Sequence, residues 1–202
     1  MTARYRGIQW PHKPYRCGVI LPVWVATWEY ECCQPDASVG AAWKGSVFLH
    51  GAEPWWATEP SSLPPEVLQL GVVDLEVRVL RPAPGVGGAA LVAADDIRLG
   101  AVGLDLSDGP QRIVGRVVFE GHVGPGGVDL DEVECHGTVR RVRRVPLLRE
   151  NRDGMWVPIR QLPPVDVDST ADRQRDGLPP QQPGATYVTD DLLVDVEIEP
   201  AA

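Results

Sequence analysis

Apolar and polar residues alternate with a period of two along several short stretches of this chain, the pattern of strands with one face in a core and one in water. The clearest is "VDLEVRVL", residues 73–80, with Val73, Leu75, Val77 and Val79 on one face and Asp74, Glu76 and Arg78 on the other. In "RIVGRVVFEGHV" Ile113, Val117 and Phe119 oppose Arg116, Glu120 and His122. Val133, Cys135 and Val139 alternate with Glu134, His136 and Arg140, after which Val142 follows Val139 at a spacing of three. That slip predicts a β-bulge between 139 and 142, because one extra residue inverts the facing. "LLVDVEIE" returns to strict alternation, with Val194, Val196 and Ile198 inside and Asp195, Glu197 and Glu199 outside, and is expected to close the sheet.

Nearer the start, Val19 to Cys33 reads as one long strand. Trp24, Ala26, Trp28, Tyr30 and Cys32 share one face, while Val23, Val25, Thr27, Glu29, Glu31 and Cys33 take the other. "QPDAS", residues 34–38, carries turn residues, and alternation resumes with Val39, Ala41, Trp43, Val47 and Leu49, so the two strands are expected to form a hairpin. "PPEVLQL" predicts a helical turn, "ALVAADDIRLG" a single strand and "MWVPI" another. Residues 1–16 read as an N-terminal extension, 17–160 as the β-rich domain, 161–185 as a flexible Pro/Gln/Asp-rich loop, and 186–202 as a final strand and tail. The predicted fold is all-β: a small antiparallel barrel or sandwich of about seven or eight strands, with one or two short helical turns and a long mobile loop.

Composition agrees with that architecture. The 202 residues, 44% hydrophobic, suffice for one sizeable core, and 20 prolines with 21 glycines suit short strands joined by turns. A formal net charge of −9 disfavours nucleic acid and anionic membrane as general partners. The run "CGVILPVWVAT", residues 17–27, follows Arg4, Arg6, Lys13 and Arg16 and so imitates a secretory leader. It contains Pro22, lacks a small-x-small cleavage site and continues into "WEYE", which favours a buried strand. No segment approaches the roughly 20 apolar residues that span a bilayer. The expected setting is cytoplasmic, with the four cysteines kept as thiols.

Trp28, Cys32, Cys33, Val39, Gly40 and Trp43, followed much later by "GTVRRV" at 137–142, resemble the signature of an uncharacterised bacterial family, a domain of unknown function. That signature runs Trp, a few residues, Cys-Cys, a turn, Val-Gly and Trp, then Gly-x-Val-Arg-Arg. The likeness spans residues 22–145. Gln34 and Ala41 stand where the family has Gly and Asp. The resemblance implies a shared fold and no particular reaction.

Several residues carry candidate chemistry. Cys33, His122 and His136 fall on polar faces and would hold zinc if their strands were neighbours, whereas Cys32 and Cys135 fall on apolar faces. Against a metal stands the spacing, since the chain has no C-x(2-4)-C pair and adjacent cysteines in a strand point to opposite sides. A Cys32-Cys33 disulfide would need a strained ring and an oxidising compartment. "RRVRR" supplies Arg140, Arg141, Arg143 and Arg144, the dense basic patch suited to phosphate or nucleic acid. Its arginines are equally suited to pairing with Asp129, Asp131, Glu132 and Glu134 just upstream. Asp95-Asp96 and "DLDE" lack the arrangement of a calcium loop. Trp55 and Trp56, beside Pro54 in a loop, are candidates for an exposed interaction surface.

The chain carries no G-x-S-x-G, H-E-x-x-H or P-loop. The sequence therefore points to a cytoplasmic binding or interaction module without catalysis or cofactor, with a protein or small molecule as its partner. The alternative is a metal- or thiol-dependent enzyme using Cys33 with His122 or His136. A further alternative is nucleic-acid or phosphate binding through Arg140 to Arg144.

Overall fold

The structure is a computed structural model that describes residues 18–26, 37–53, 69–83, 88–121, 127–152, 155–172 and 184–199, with backbone alone at 155–158 and 172. Ten strands form one ring-like sheet. They are β1 (Val19–Val25), β2 (Ala42–Gly51), β3 (Val72–Pro82), β4 (Ala90–Ala94), β5 (Ile97–Ala101), β6 (Pro110–Phe119), β7 (Glu134–Arg152), β8 (Met155–Gln161), β9 (Val165–Val167) and β10 (Thr186–Ile198). The all-β class holds. Two short 3-10 turns, Leu130–Val133 and Thr170–Asp172, stand among the described residues, Gln69 is the helical end of the predicted turn in "PPEVLQL", and the Asp129 carboxylate caps the first 3-10 turn by accepting from the Asp131 amide.

Strand order runs β10-β1-β6-β3-β4-β5-β2-β7-β8, and a β7–β10 ladder joins the path into a ring. That ladder extends from Thr186 opposite Glu150 to Ile198 opposite Gly137. Its register shifts at Asp195/Val196, where β7 passes from Arg141 to Val139 and leaves Arg140 as the extra residue. The bulge thus falls inside the predicted interval and returns Val142 to the core side with Val139.

The interior is filled by the predicted inward rows. Val73 and Val77 of β3, Val117 and Phe119 of β6, and Val194, Val196 and Ile198 of β10 meet Leu21, Val23, Val25, Val47, Leu49 and Leu99. Each such valine or leucine withdrawn from water contributes about 1.5–3 kcal/mol. Trp43 meets Phe119 edge to face, with centroids 6.5 Å apart. Smaller apolar clusters cover the outer face, one around Phe48 and Leu91, the other around Trp24, Val118, Val145 and Leu193. Alternation thus assigns sides in β1 and β10, yet at Trp24 and Leu193 the outward side is buried as well.

Several expectations change. Among the described residues β1 and β2 do not form the predicted hairpin, since β1 pairs with β10 and β6 while β2 pairs with β7, β6 and β5, and residues 27–36 of that hairpin lie outside them. Strand β6 lies between them. "ALVAADDIRLG" is two strands, because Ala94 pairs with Ile97 and Asp95-Asp96 is the tight turn between β4 and β5. Asp95 adopts φ 51°, a left-handed conformation that aspartate tolerates better than most residues. The sheet is also not purely antiparallel, for β1–β6 and β2–β5 are parallel. Within the 161–185 stretch, read as a mobile loop, Val165–Val167 is β9 on β7, and the Ala37 amide donates to Thr170 Oγ1 at 2.8 Å. Trp28, Tyr30, Cys32 and the 1–16 extension lie outside the described residues, as does all but the end of "PPEVLQL".

At Gly100, opposite Phe48 in the parallel β2–β5 ladder, a Cβ would overlap the Phe48 ring. Gly100→Ala is therefore expected to cost about 2 kcal/mol through overpacking. Adding Phe48→Leu should recover part of that loss, as read by urea denaturation of the single and double variants.

Candidate functional site

Strand β6 decides where the sheet opens. Gly115 and Arg116 pair with both β3 and β2, while Val117 and Val118 pair with both β1 and β2, so β3 and β1 occupy the same edge of β6 in succession. Upstream of Val23, β1 leaves β6 and, among the described residues, keeps only β10. Upstream of Val77, β3 has β6 on one side and, among the described residues, no strand on the other. Pro22 falls in this half-paired part of β1, which suits a residue unable to donate to a ladder.

A small cleft of about 90 Å³ opens where the two strands part. Leu21, Ala94, Ile97 and Leu99 of the core reach it, with Val19 and Leu75 at its sides. Asp74, Glu76 and Asp95, all exposed, form an acidic rim. Arg112 donates from Nε to Asp74 Oδ1 and from Nη2 to Asp74 Oδ2, both at 2.6 Å, a two-point contact that holds the Asp74 carboxyl below its ordinary pKa. Glu76 has no ion pair among the described residues, although Arg112 is its cross-strand neighbour. Nothing in the sequence announced this cleft, since it arises from two strands competing for one edge.

Of the proposed zinc set, Cys33 and His122 lie outside the described residues, and so do Trp55 and Trp56. His136 is on the exposed side of β7 opposite Lys44, with its Nε2 3.0 Å from Glu134 Oε1. Lys44 Nζ lies 3.0 Å from the same oxygen. Lys44 first, then His136, keeps the Glu134 carboxyl below its ordinary pKa. Among the described residues no three His, Cys, Asp or Glu side chains gather as a metal site. Cys135 is buried, and its thiol faces the carbonyl oxygen of Arg98 at 3.6 Å. Burial, with the nearby Glu134 charge, pushes the thiol up to about 12, so near neutral pH it is a packing group and no nucleophile.

The basic patch is tied within the fold, though not to the partners the sequence suggested. Arg140 pairs with Glu197 and Arg143 with Asp195, both on β10. Arg144 lies 3.4 Å from Asp190, also on β10, and Arg141 contacts Asp166 of β9 at 2.7 and 2.9 Å. The upstream acids have other uses: Glu132 pairs with Arg81, and Glu134 with Lys44 and His136. Arg116, expected on the exposed face, is 1% exposed, and burial lowers its pKa to about 10, which leaves it charged near neutrality.

Of the residues that carry the resemblance, Gly40 and Trp43 lie beside those at 137–139. Gly40 donates its amide to the Val139 carbonyl at 2.8 Å, and Ala42 and Trp43 stand opposite Thr138 and Gly137. Gly40 adopts φ 84°, where a side chain is strained, and Trp43 is core. Those residues therefore hold β2 to β7. Set beside known proteins, the chain matches no family model, no curated protein and no solved structure.

Burial ranks the ion pairs. The side chains of Arg143 and Asp195 are 13% and 18% exposed, so Asp195→Ala, which strands the guanidinium, is expected to cost about 3 kcal/mol in urea denaturation. Asp166→Ala, at a pair 52% and 63% exposed, should cost less than about 1 kcal/mol. For Cys135, peptide mapping after iodoacetamide treatment near neutral pH should find the residue unmodified in native protein and modified once urea is added.

Proposed function

We propose that the protein is a binding or interaction module without catalysis, and that its ligand is a protein segment or small molecule held at the cleft between β1 and β3. The observation that carries the reading is the cleft itself, where core side chains reach the surface inside a charged rim. Concave sites with an apolar floor and a few orienting polar groups are the usual form of binding sites. The resemblance to a family of unknown function is part of the same proposal, and it implies a fold and no reaction.

The tethered basic patch supports the module over the nucleic-acid alternative. Arg140, Arg141, Arg143 and Arg144 each have a carboxylate partner, so phosphate would have to displace an internal ion pair at each. His136 is likewise engaged with Glu134. A cytoplasmic setting belongs to the proposal as well. It draws on the leader-like run being strand β1, laddered to β10 and β6. No helix among the described residues is long and apolar enough to cross a membrane.

Leu75→Trp would fill the cleft from its side. Immobilised wild-type protein should retain a ligand from cell extract that mass spectrometry finds depleted at least about tenfold on Leu75→Trp protein of unchanged circular dichroism. Equal retention by both proteins would sink the reading.

A further inference from the structure

We propose that the cleft docks an extended segment of a partner protein as an added strand, one whose alternate side chains are basic and apolar. The assignment rests on the binding-module reading and names its ligand class. Two unpaired strand edges flank the cleft. Among the described residues, β3 from Val72 to Glu76 pairs with β6 alone, and β1 from Val19 to Pro22 with β10 alone. Such edges present backbone donors and acceptors to an incoming strand, and side-chain sites then set its sequence.

The period of β3 gives that sequence. Asp74 and Glu76 stand two residues apart on the exposed face, and Leu75 between them faces the core side with Leu21 and Leu99. A strand laid along this edge shares the period. Its residue beside Glu76 meets a carboxylate with no ion pair among the described residues, its residue beside Asp74 meets one already held by Arg112, and the residue between them meets the apolar floor. Arg112 shows internally what the rim accepts, through its two-point contact with Asp74. Asp95 adds a third carboxylate from the β4–β5 turn.

The test is fluorescence anisotropy on the full chain with short labelled peptides. One alternates lysine and valine, one alternates glutamate and valine, and one carries the lysines and valines in two blocks. The alternating basic peptide should bind, and binding should weaken about tenfold in the variant carrying Glu76→Gln and Asp95→Asn. The acidic peptide should not bind over the same range, and the blocked peptide should bind more weakly than the alternating one. Equal binding of the basic and acidic peptides, or of the alternating and blocked ones, overturns the proposal. So does affinity unchanged in the double variant. If the alternating basic peptide fails to bind while Leu75→Trp still releases the captured ligand, the basic strand is wrong and the binding module stands. If Leu75→Trp releases nothing, both fall.

Discussion

The β7–β10 ladder is the constraint on which the rest of this fold depends. A sheet of short strands exposes two edges, and each exposed edge is a row of unpaired backbone groups. Here the longest strand, β7, runs against β10 from Gly137 to Glu150, and in doing so joins the two ends of the path that starts at β10 and arrives at β2. Every other strand then has a defined place. The ladder is reinforced at its sides by Arg140–Glu197 and Arg143–Asp195, which tie the same two strands by their outward residues.

Such a ring cannot be uniform. Strand β6 serves β2 along one edge and must divide the other between β3 and β1, so neither of those two is fully paired where they part. The cleft and its unpaired edges are consequences of that division. The same strands that make the core continuous also bring Leu21 and Leu99 to an opening, and the outward residues of β3 happen to be carboxylates there. The proposed binding role rests on this combination of apolar floor, charged rim and backbone unpaired among the described residues.

How much of this was legible varies with how local the cause is. "VDLEVRVL" and "LLVDVEIE" were readable because facing in a strand depends only on residue parity, and the break after Val139 was readable because a bulge shifts parity by one. The pairing of β1 with β10 and β6 among the described residues was not readable, because turn residues report that the chain reverses, not which edges are vacant when it does. Strand β9 was missed because three residues in a polar stretch carry little pattern; its place is set by β7 and by Asp166 meeting Arg141. Arg116 was placed on an exposed face because burial of an outer face depends on what covers it. The zinc candidates illustrate the same limit, since parity put His136 on a polar face but did not reveal Lys44 and Glu134 beside it.

The sequence by itself determined the class of the fold, the inward rows of most strands and the bulge in β7, because each follows from the chemistry of neighbours in the chain. The tertiary structure alone decided which strands pair, which carboxylates hold Arg140 to Arg144, and where the sheet opens. Those outcomes depend on competition among distant segments for a limited number of strand edges, and that competition leaves no local trace.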